Sequence, residues 1–362
     1  MSFKSTILAI GLAAGALAPS VAEAADCFIL VHGYKSADDL SNKTKALQYW
    51  TTNGDFTTAV TSGTANYAIV GWNSRDFPFW HPNGAGAVAS QINAIQTGLG
   101  DAAPSASAPH ARQCKATDKF YVVAHSQGAQ VLTYINGNAK ASDPNLNTVV
   151  NTTDVNTLIR AMDPRNAEYA LRQSAPFATI MGKVTSVITV GGAINGTEGM
   201  DYICNGGLDA AVAAAVGKTC VKSLQTFTQY NPSSYTGPSM YRPVYALGGY
   251  GTTPISLTTL TGEDDGVVNL ASQMNCTGSP FRDLENDFKE WAYGIAVTFT
   301  CNSANKRHSN HFNLASVNIT HNAEVTNPSG TWTHNMSAAG ALNCGNGKNV
   351  PNTIAACLSL TK

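Results

Sequence analysis

Ser126 is the residue around which chemistry can be built. It sits in Val122-Val123-Ala124-His125-Ser126-Gln127-Gly128-Ala129, where an apolar run passes through small-x-Ser-x-Gly into a stretch of helical pattern. Strand, sharp turn and helix in that order are the context a nucleophile elbow requires. The turn is tight, so the residues two before and two after the serine must be small, as Ala124 and Gly128 are. It lifts the Ser126 hydroxyl above the carboxyl edge of a sheet. It also aims the start of the next helix at the carbonyl under attack, where the helix dipole favours developing negative charge. A chance S-x-G at a surface turn would lack the buried strand in front of it. His32-Gly33-Tyr34 closes another apolar run. The backbone N–H groups of Tyr34 and Gln127 are the two expected oxyanion donors, each worth about 3 kcal/mol by analogy with donor deletions. The His32 imidazole is expected to be buried and hydrogen-bonded locally, with no part in proton transfer.

The elements that would position these groups can be read from hydrophobic patterning. Residues 27–31 (CFILV), 67–72 (YAIVGW), 120–124 (FYVVA) and 186–190 (SVITV) are continuous apolar runs rich in Val, Ile, Tyr and Phe. Runs of that kind are expected of strands buried on both faces. Helical patterns fill 85–99, 129–136 and 154–172, and weaker strand candidates lie at 241–247 and 295–300. Strand and helix in alternation predict an α/β fold, a mostly parallel sheet covered by helices on both faces. No internal repeat and no Pro- or Gly-rich linker divides the chain.

With the HG turn at 32–33, the A-H-S-x-G elbow at 124–128 and Val190-Gly191-Gly192-Ala193-Ile194-Asn195-Gly196, the chain resembles the α/β-hydrolase superfamily. The likeness is to bacterial secreted lipases and to lipase-like extracellular polyhydroxybutyrate depolymerases. It runs from about residue 27 to 196, is patchy to 311, and does not extend over 320–362. The resemblance implies an acid and then a histidine, in that order. Leu260-Thr261-Gly262-Glu263-Asp264-Asp265-Gly266-Val267-Val268 matches an aspartate followed by Gly-Val-Val, which aligns Asp265, with Asp264 and Glu263 as neighbours that could stand in for it. Ser309-Asn310-His311-Phe312-Asn313-Leu314 looks like the family's loop-to-helix entry, which makes His311 the expected general base and His308 the alternative. His321 and His334 lie in Asn/Thr-rich sequence and are expected at the surface.

What the resemblance implies is a carboxylic ester hydrolase that acts through an acyl-enzyme and needs no cofactor. Its substrates would be acylglycerols, simpler esters or an apolar polyester. An acyltransferase or peptidase could use the same triad, and a secreted binding protein could keep the scaffold without activity. Glu263, Asp264, Asp283, Glu285 and Asp287 could supply oxygen ligands but match no calcium loop, so no metal ligand is assigned and the sequence leaves a calcium ion open.

Composition bears on where the protein works. The chain has 362 residues, 43% hydrophobic and only 12% charged, with Lys+Arg 22 against Asp+Glu 23 and a formal net charge of −1. No basic footprint for nucleic acid exists, and the hydrophobicity excludes a disordered chain. Lys4, the apolar stretch 7–18 and Ala22-Glu23-Ala24 read as a signal peptide, 1–24. The apolar stretch is too short to be a transmembrane anchor. A single exported domain, 25–362, is expected outside the cytoplasm, extracellular or periplasmic; its oligomeric state is unknown from sequence.

All eight cysteines follow that cleavage site, and there is no C-x-x-C, so disulfides are expected and not a metal. Nearest-neighbour pairing suggests Cys204–Cys220, Cys276–Cys301 and Cys344–Cys357, leaving Cys27 with Cys114. In the family's sheet order the strands these last two precede are neighbours, which implies bridging reach at the edge opposite the active site. Sequence alone does not fix connectivity. Cys204–Cys220 brackets a short apolar helix at 208–216 inside a cap-like insertion, 197–240; that helix reads equally as core. Phe77, Phe79 and Trp80 are expected on a loop at the catalytic edge, as a hydrophobic substrate rim or as a seal over the core.

Overall fold

Six strands form one sheet in the computed structural model, which describes residues 24–35, 37–51, 56–57, 66–98, 114–139, 177–206, 220–221, 224–225, 240–249, 267–268, 270–273, 311–317, 321 and 354. The strands are β1 (Asp26–Val31), β2 (Asn66–Val70), β3 (Lys119–His125), β4 (Val184–Val190), β5 (Val244–Gly249) and β6 (His311–Val317). Their order is β2-β1-β3-β4-β5-β6, and all five pairings are parallel. The helices are α1 (Lys43–Thr51), α2 (Ala87–Gln96), α3 (Gln127–Asn138), α4 (Phe177–Gly182), α5 (Glu198–Cys204) and α6 (Leu270–Gln273).

Alternation along each strand explains the two layers of core. Ile29, Val31, Val122 and Ala124 face one side, where they meet Val88 and Ile92 of α2 and Val131 and Ile135 of α3. Phe28, Leu30, Tyr121 and Val123 face the other, where Ala46 and Trp50 of α1 cover them. Every second residue points to the same face, so strands apolar throughout must be buried on both sides. The C-terminal Ile354 belongs to the second layer and is fully buried. This is the α/β-hydrolase architecture that the sequence implied.

Strand order places the functional edge. The chain goes from β1 out to β2, then returns across β1 to β3 on its other side. Carboxyl ends that diverge in this way leave a crevice, and ligands in open α/β sheets bind there. Val31 pairs with Ala124, so the turns after β1 and β3 leave the sheet side by side.

At the opposite edge, Cys27 of β1 is bonded to Cys114, with Cα atoms 5.7 Å apart, as the implied sheet order required. Cys204–Cys220 is also formed; it closes the end of α5 against residue 220. The other two proposed bridges, the 154–172 and 208–216 helices, the 295–300 strand and the leader up to residue 23 lie outside the described residues. Among the described residues no helix is long and apolar enough to cross a membrane.

Three elements differ from expectation. The fifth strand begins at Val244 and not at 241, because Pro243 has no N–H to give a ladder; its carbonyl instead accepts from Val187 N–H. Residues 311–317 form a strand where a loop-to-helix entry was expected.

The aromatic rim needs the third correction. Phe79 is 0% and Trp80 9% exposed, and both belong to the core layer beneath α2 and α3. Phe79 makes edge contacts with Trp80 and with Tyr134 of α3. Phe77 is half-buried and stacks on His81 instead of lining an opening. The loop seals the core because the π-turn Pro82–Gly86 folds it back onto α2: Phe79 O accepts from Ala85 N–H and Pro78 O from His81 N–H. Phe79→Ala is therefore expected to cost about 3–5 kcal/mol of stability. A chemical melt of the variant checks it.

Candidate active site

The turn after β3 is a sharp elbow. Ser126 has φ 55° and ψ −128°, and it is the one non-glycine residue with positive φ among the described residues. Such backbone costs about 1–3 kcal/mol and persists only where the surroundings over-determine it. Here three backbone bonds do so: Ser126 N–H to Val190 O, and Ala129 N–H and Ala193 N–H to Ser126 O. Gln127 then opens α3, all twelve residues of which are buried. The serine, 8% exposed, thus stands at the head of a fully buried helix.

The HG turn lies directly against it. A Cβ on Gly33 would overlap Ser126 Cβ and come within 2.8 Å of Tyr49 Oη. A Cβ on Gly128 would stand 2.5 Å from Val31 O and 2.6 Å from His32 O. Glycine is required at both positions because the two turns interlock backbone to backbone. Tyr34 follows the HG turn, and its ring packs on Met200, Ile203 and Leu224, beside Cys204 of the bracketed segment. Tyr34 and Gln127 thus follow two interlocked turns, one after β1 and one after β3.

His32 is a strut. Its Nδ1–H donates to Gly33 O (2.8 Å), its Nε2 accepts from Trp72 N–H (3.2 Å), and Trp72 Nε1–H donates to His32 O (3.2 Å). The ring also stacks on Trp72. Both nitrogens are engaged in the neutral form, and burial pushes the pKa down to about 4. This matches the structural role expected for it.

His125, in front of the serine, is engaged as fully. A carbonyl can only accept, so the Nε2···His321 O contact of 3.1 Å makes Nε2 the protonated nitrogen. Nδ1 then accepts from Tyr49 Oη at 2.5 Å. Burial, and after it the neighbouring His321, hold the His125 pKa well below the ordinary value.

His321, expected at the surface, is instead buried beside the elbow's own histidine. It is 5% exposed, its ring centroid lies 4.5 Å from that of His125, and it comes four residues after β6 at the sheet's carboxyl edge. His311 is at the other end of that strand. Register carries Val122 of β3 to Val187, Val244 and then His311. His311 is therefore about 13 Å below the level of Ser126 and three strands across, about 19 Å in all. No side chain closes that gap. Phe312, Leu314, Val317 and Ile319 carried a strand signal around His311. A histidine just past the strand's end, and not at its start, is the one that reaches a carboxyl-edge crevice.

Asp265, Asp264 and His308 lie outside the described residues. The segment next to Asp265 is anchored at the same edge. Val267 O accepts from Thr197 Oγ1, and Val268 O from Gln273 Nε2 at 2.7 Å. The same buried Gln273 amide exchanges two bonds with Gly249 at the end of β5. Val267 and Val268 pack on Ala193, whose N–H holds Ser126 O. Among the described residues no group of three or more His, Cys, Asp or Glu is placed to hold a metal ion.

A parallel doubly covered sheet with a strained serine between strand and helix defines an α/β-hydrolase fold. No family model and no curated protein matches the chain. Among solved structures it is similar to a Bacillus licheniformis lipase in mature form, at 13% identity over 75% of this chain and 91% of that one, TM-score 0.41. It is likewise similar to the Staphylococcus hyicus lipase, at 12% identity over 92% and 95%, TM-score 0.42. Lipase 1 from Pelosinus fermentans gives 13% over 84% and 94%, TM-score 0.40. Likeness of that degree says nothing about this chain's chemistry.

Two outcomes follow from the site's packing. Gly128→Ala should cost well over 1 kcal/mol in a denaturant titration, because backbone carbonyls and not flexible side chains fill the space. The second concerns pH. His32 takes up its proton near 6.5 when unfolded but only near 4 when folded. Its neutral burial is fully accommodated above 6.5, and stability falls as pH drops from there to about 4, by up to about 3 kcal/mol for this group. The thermal midpoint followed across that window should decline.

Proposed function

We propose that the protein is an exported serine hydrolase of carboxylic esters, with Ser126 as nucleophile, His321 as general base and Asp265 as the carboxylate that orients it. The observation that carries this reading is the strained Ser126 at the switch-point crevice, with the HG turn on one side and a buried histidine one ring away. His321 takes the Oγ proton as Oγ attacks the ester carbonyl. The Tyr34 and Gln127 N–H groups hold the resulting oxyanion. As it collapses, His321 passes that proton to the leaving alkoxide, and Ser126 is left acylated. Water, deprotonated by His321, then attacks the acyl carbon, and the acid leaves as the proton returns to Oγ.

Asp265 is two residues from the anchored Val267, so chain length alone keeps its Cα within about 7 Å of it. Acylglycerols, simple esters and apolar polyesters, the last as in the depolymerases the sequence resembles, all fit this chemistry. Two disulfides, a chain with few charges and the leader-like 1–24 support export.

A fluorophosphonate probe should label Ser126. Ser126→Ala and His321→Ala should each lower turnover of a p-nitrophenyl ester by at least about a thousandfold, while His311→Ala leaves it unchanged. A chain that folds, carries no adduct and turns over no ester would be a binding protein on this scaffold. Loss of activity in His311→Ala with retention in His321→Ala would reverse the assignment of the base.

A further inference from the structure

We infer that Tyr49 and His125 are positioning residues, a buried two-step tether that holds His321 beside the Ser126 elbow. The inference rests on the reading of His321 as the base. Residue 321 comes from the C-terminal part of the chain and is held by its own backbone carbonyl, to which His125 Nε2–H donates. The donor is available only in one tautomer, and Tyr49 selects it: the phenol donates to Nδ1, so the proton must reside on Nε2. Tyr49 belongs to α1, on the layer of the core opposite α3. Three distant stretches of sequence thus meet at one imidazole beside the nucleophile.

The geometry excludes the simpler roles. His125 is not itself the base, because its Nδ1 lone pair faces Tyr49 and its Nε2 carries the proton given to His321 O. Nor is it filler alone, since an apolar ring of that size would leave the His321 carbonyl without this donor in a buried place. The two rings lie 4.5 Å apart with a 32° tilt, so His125 forms the wall against which His321 sets its plane. A neutral wall suits a base that becomes cationic with each turnover, and burial keeps His125 neutral. Tyr49 Oη also lies against Gly33, so the same phenol spaces the HG turn from the tether.

The test compares donors of different reach in the full-length protein. His125→Gln keeps an N–H close to where Nε2 stands; His125→Asn is too short to reach His321 O. Tyr49→Phe removes the tautomer lock with a single oxygen, and it keeps the test open if His125→Asn fails to fold. Misplacement of the base by about 1 Å costs up to about 100-fold in rate. We expect His125→Asn and Tyr49→Phe to lower kcat about 10- to 100-fold with KM little changed, and to slow fluorophosphonate labelling of Ser126 in proportion. His125→Gln should restore most of both. Equal kcat and labelling rates in the Asn and Gln variants, or a Tyr49→Phe enzyme as fast as wild type, would overturn the tether. If His321→Ala retains turnover, the assignment of the base falls instead, which is a separate failure.

Discussion

The site depends on a backbone-to-backbone approach between the turns that follow β1 and β3. Gly128 sits against the carbonyls of Val31 and His32, and Gly33 sits against Ser126. Neither position has room for a methyl group. Because β1 and β3 are hydrogen-bonded neighbours, any wedge between their turns would have to part the strands or push the serine from the crevice. The strained Ser126 dihedrals are tolerated for the same reason, since β4 and its following loop hold the residue from the other side through Val190 and Ala193.

Environment, and not residue type, divides the histidines among roles. His32 and His125 each use both ring nitrogens in hydrogen bonds that only the neutral form can make, and both are kept neutral by burial. His81 is likewise pushed down to about 4 by burial and accepts from Asn83 N–H through Nδ1. Of these three, His125 is the one against which the buried His321 ring rests, at the carboxyl edge of the sheet.

The two described disulfides act at opposite ends of the sheet. Cys27–Cys114 ties the amino edge, at the opposite end of the strands from the Ser126 elbow. Cys204–Cys220 closes the segment whose Met200–Ile203–Leu224 cluster packs on Tyr34, just past the HG turn. The 267–268 segment is braced by polar groups instead. Thr197, Ser272 and Gln273 hydrogen-bond between the loop after β4, the end of β5 and the 267–268 segment. Gln273 is fully buried, which makes its bracing directional.

How far each part could be read from sequence follows from how local its cause is. The first four strands, α2, α3 and the elbow were legible because continuous apolar runs, small residues around Ser126 and the punctuating glycines act within a few residues of one another. His32 as a strut was legible too, as a histidine between a buried strand and a glycine turn. The rim at Phe79 and Trp80 was not, because aromatic residues on a loop look alike whether the loop folds inward or outward, and the π-turn at Pro82–Gly86 decided it. The burial of His321 beside the elbow was not legible either. His308, His311, His321 and His334 differ little in local sequence, and only the pairing of β6 with β5 puts one strand end at the crevice and the other on the far side. Sequence alone determined the elbow at Ser126 and the sheet that carries it, since short-range sterics and burial demand them. Tertiary structure decided which histidine lies beside that elbow, because strand register is a long-range property that no local pattern encodes.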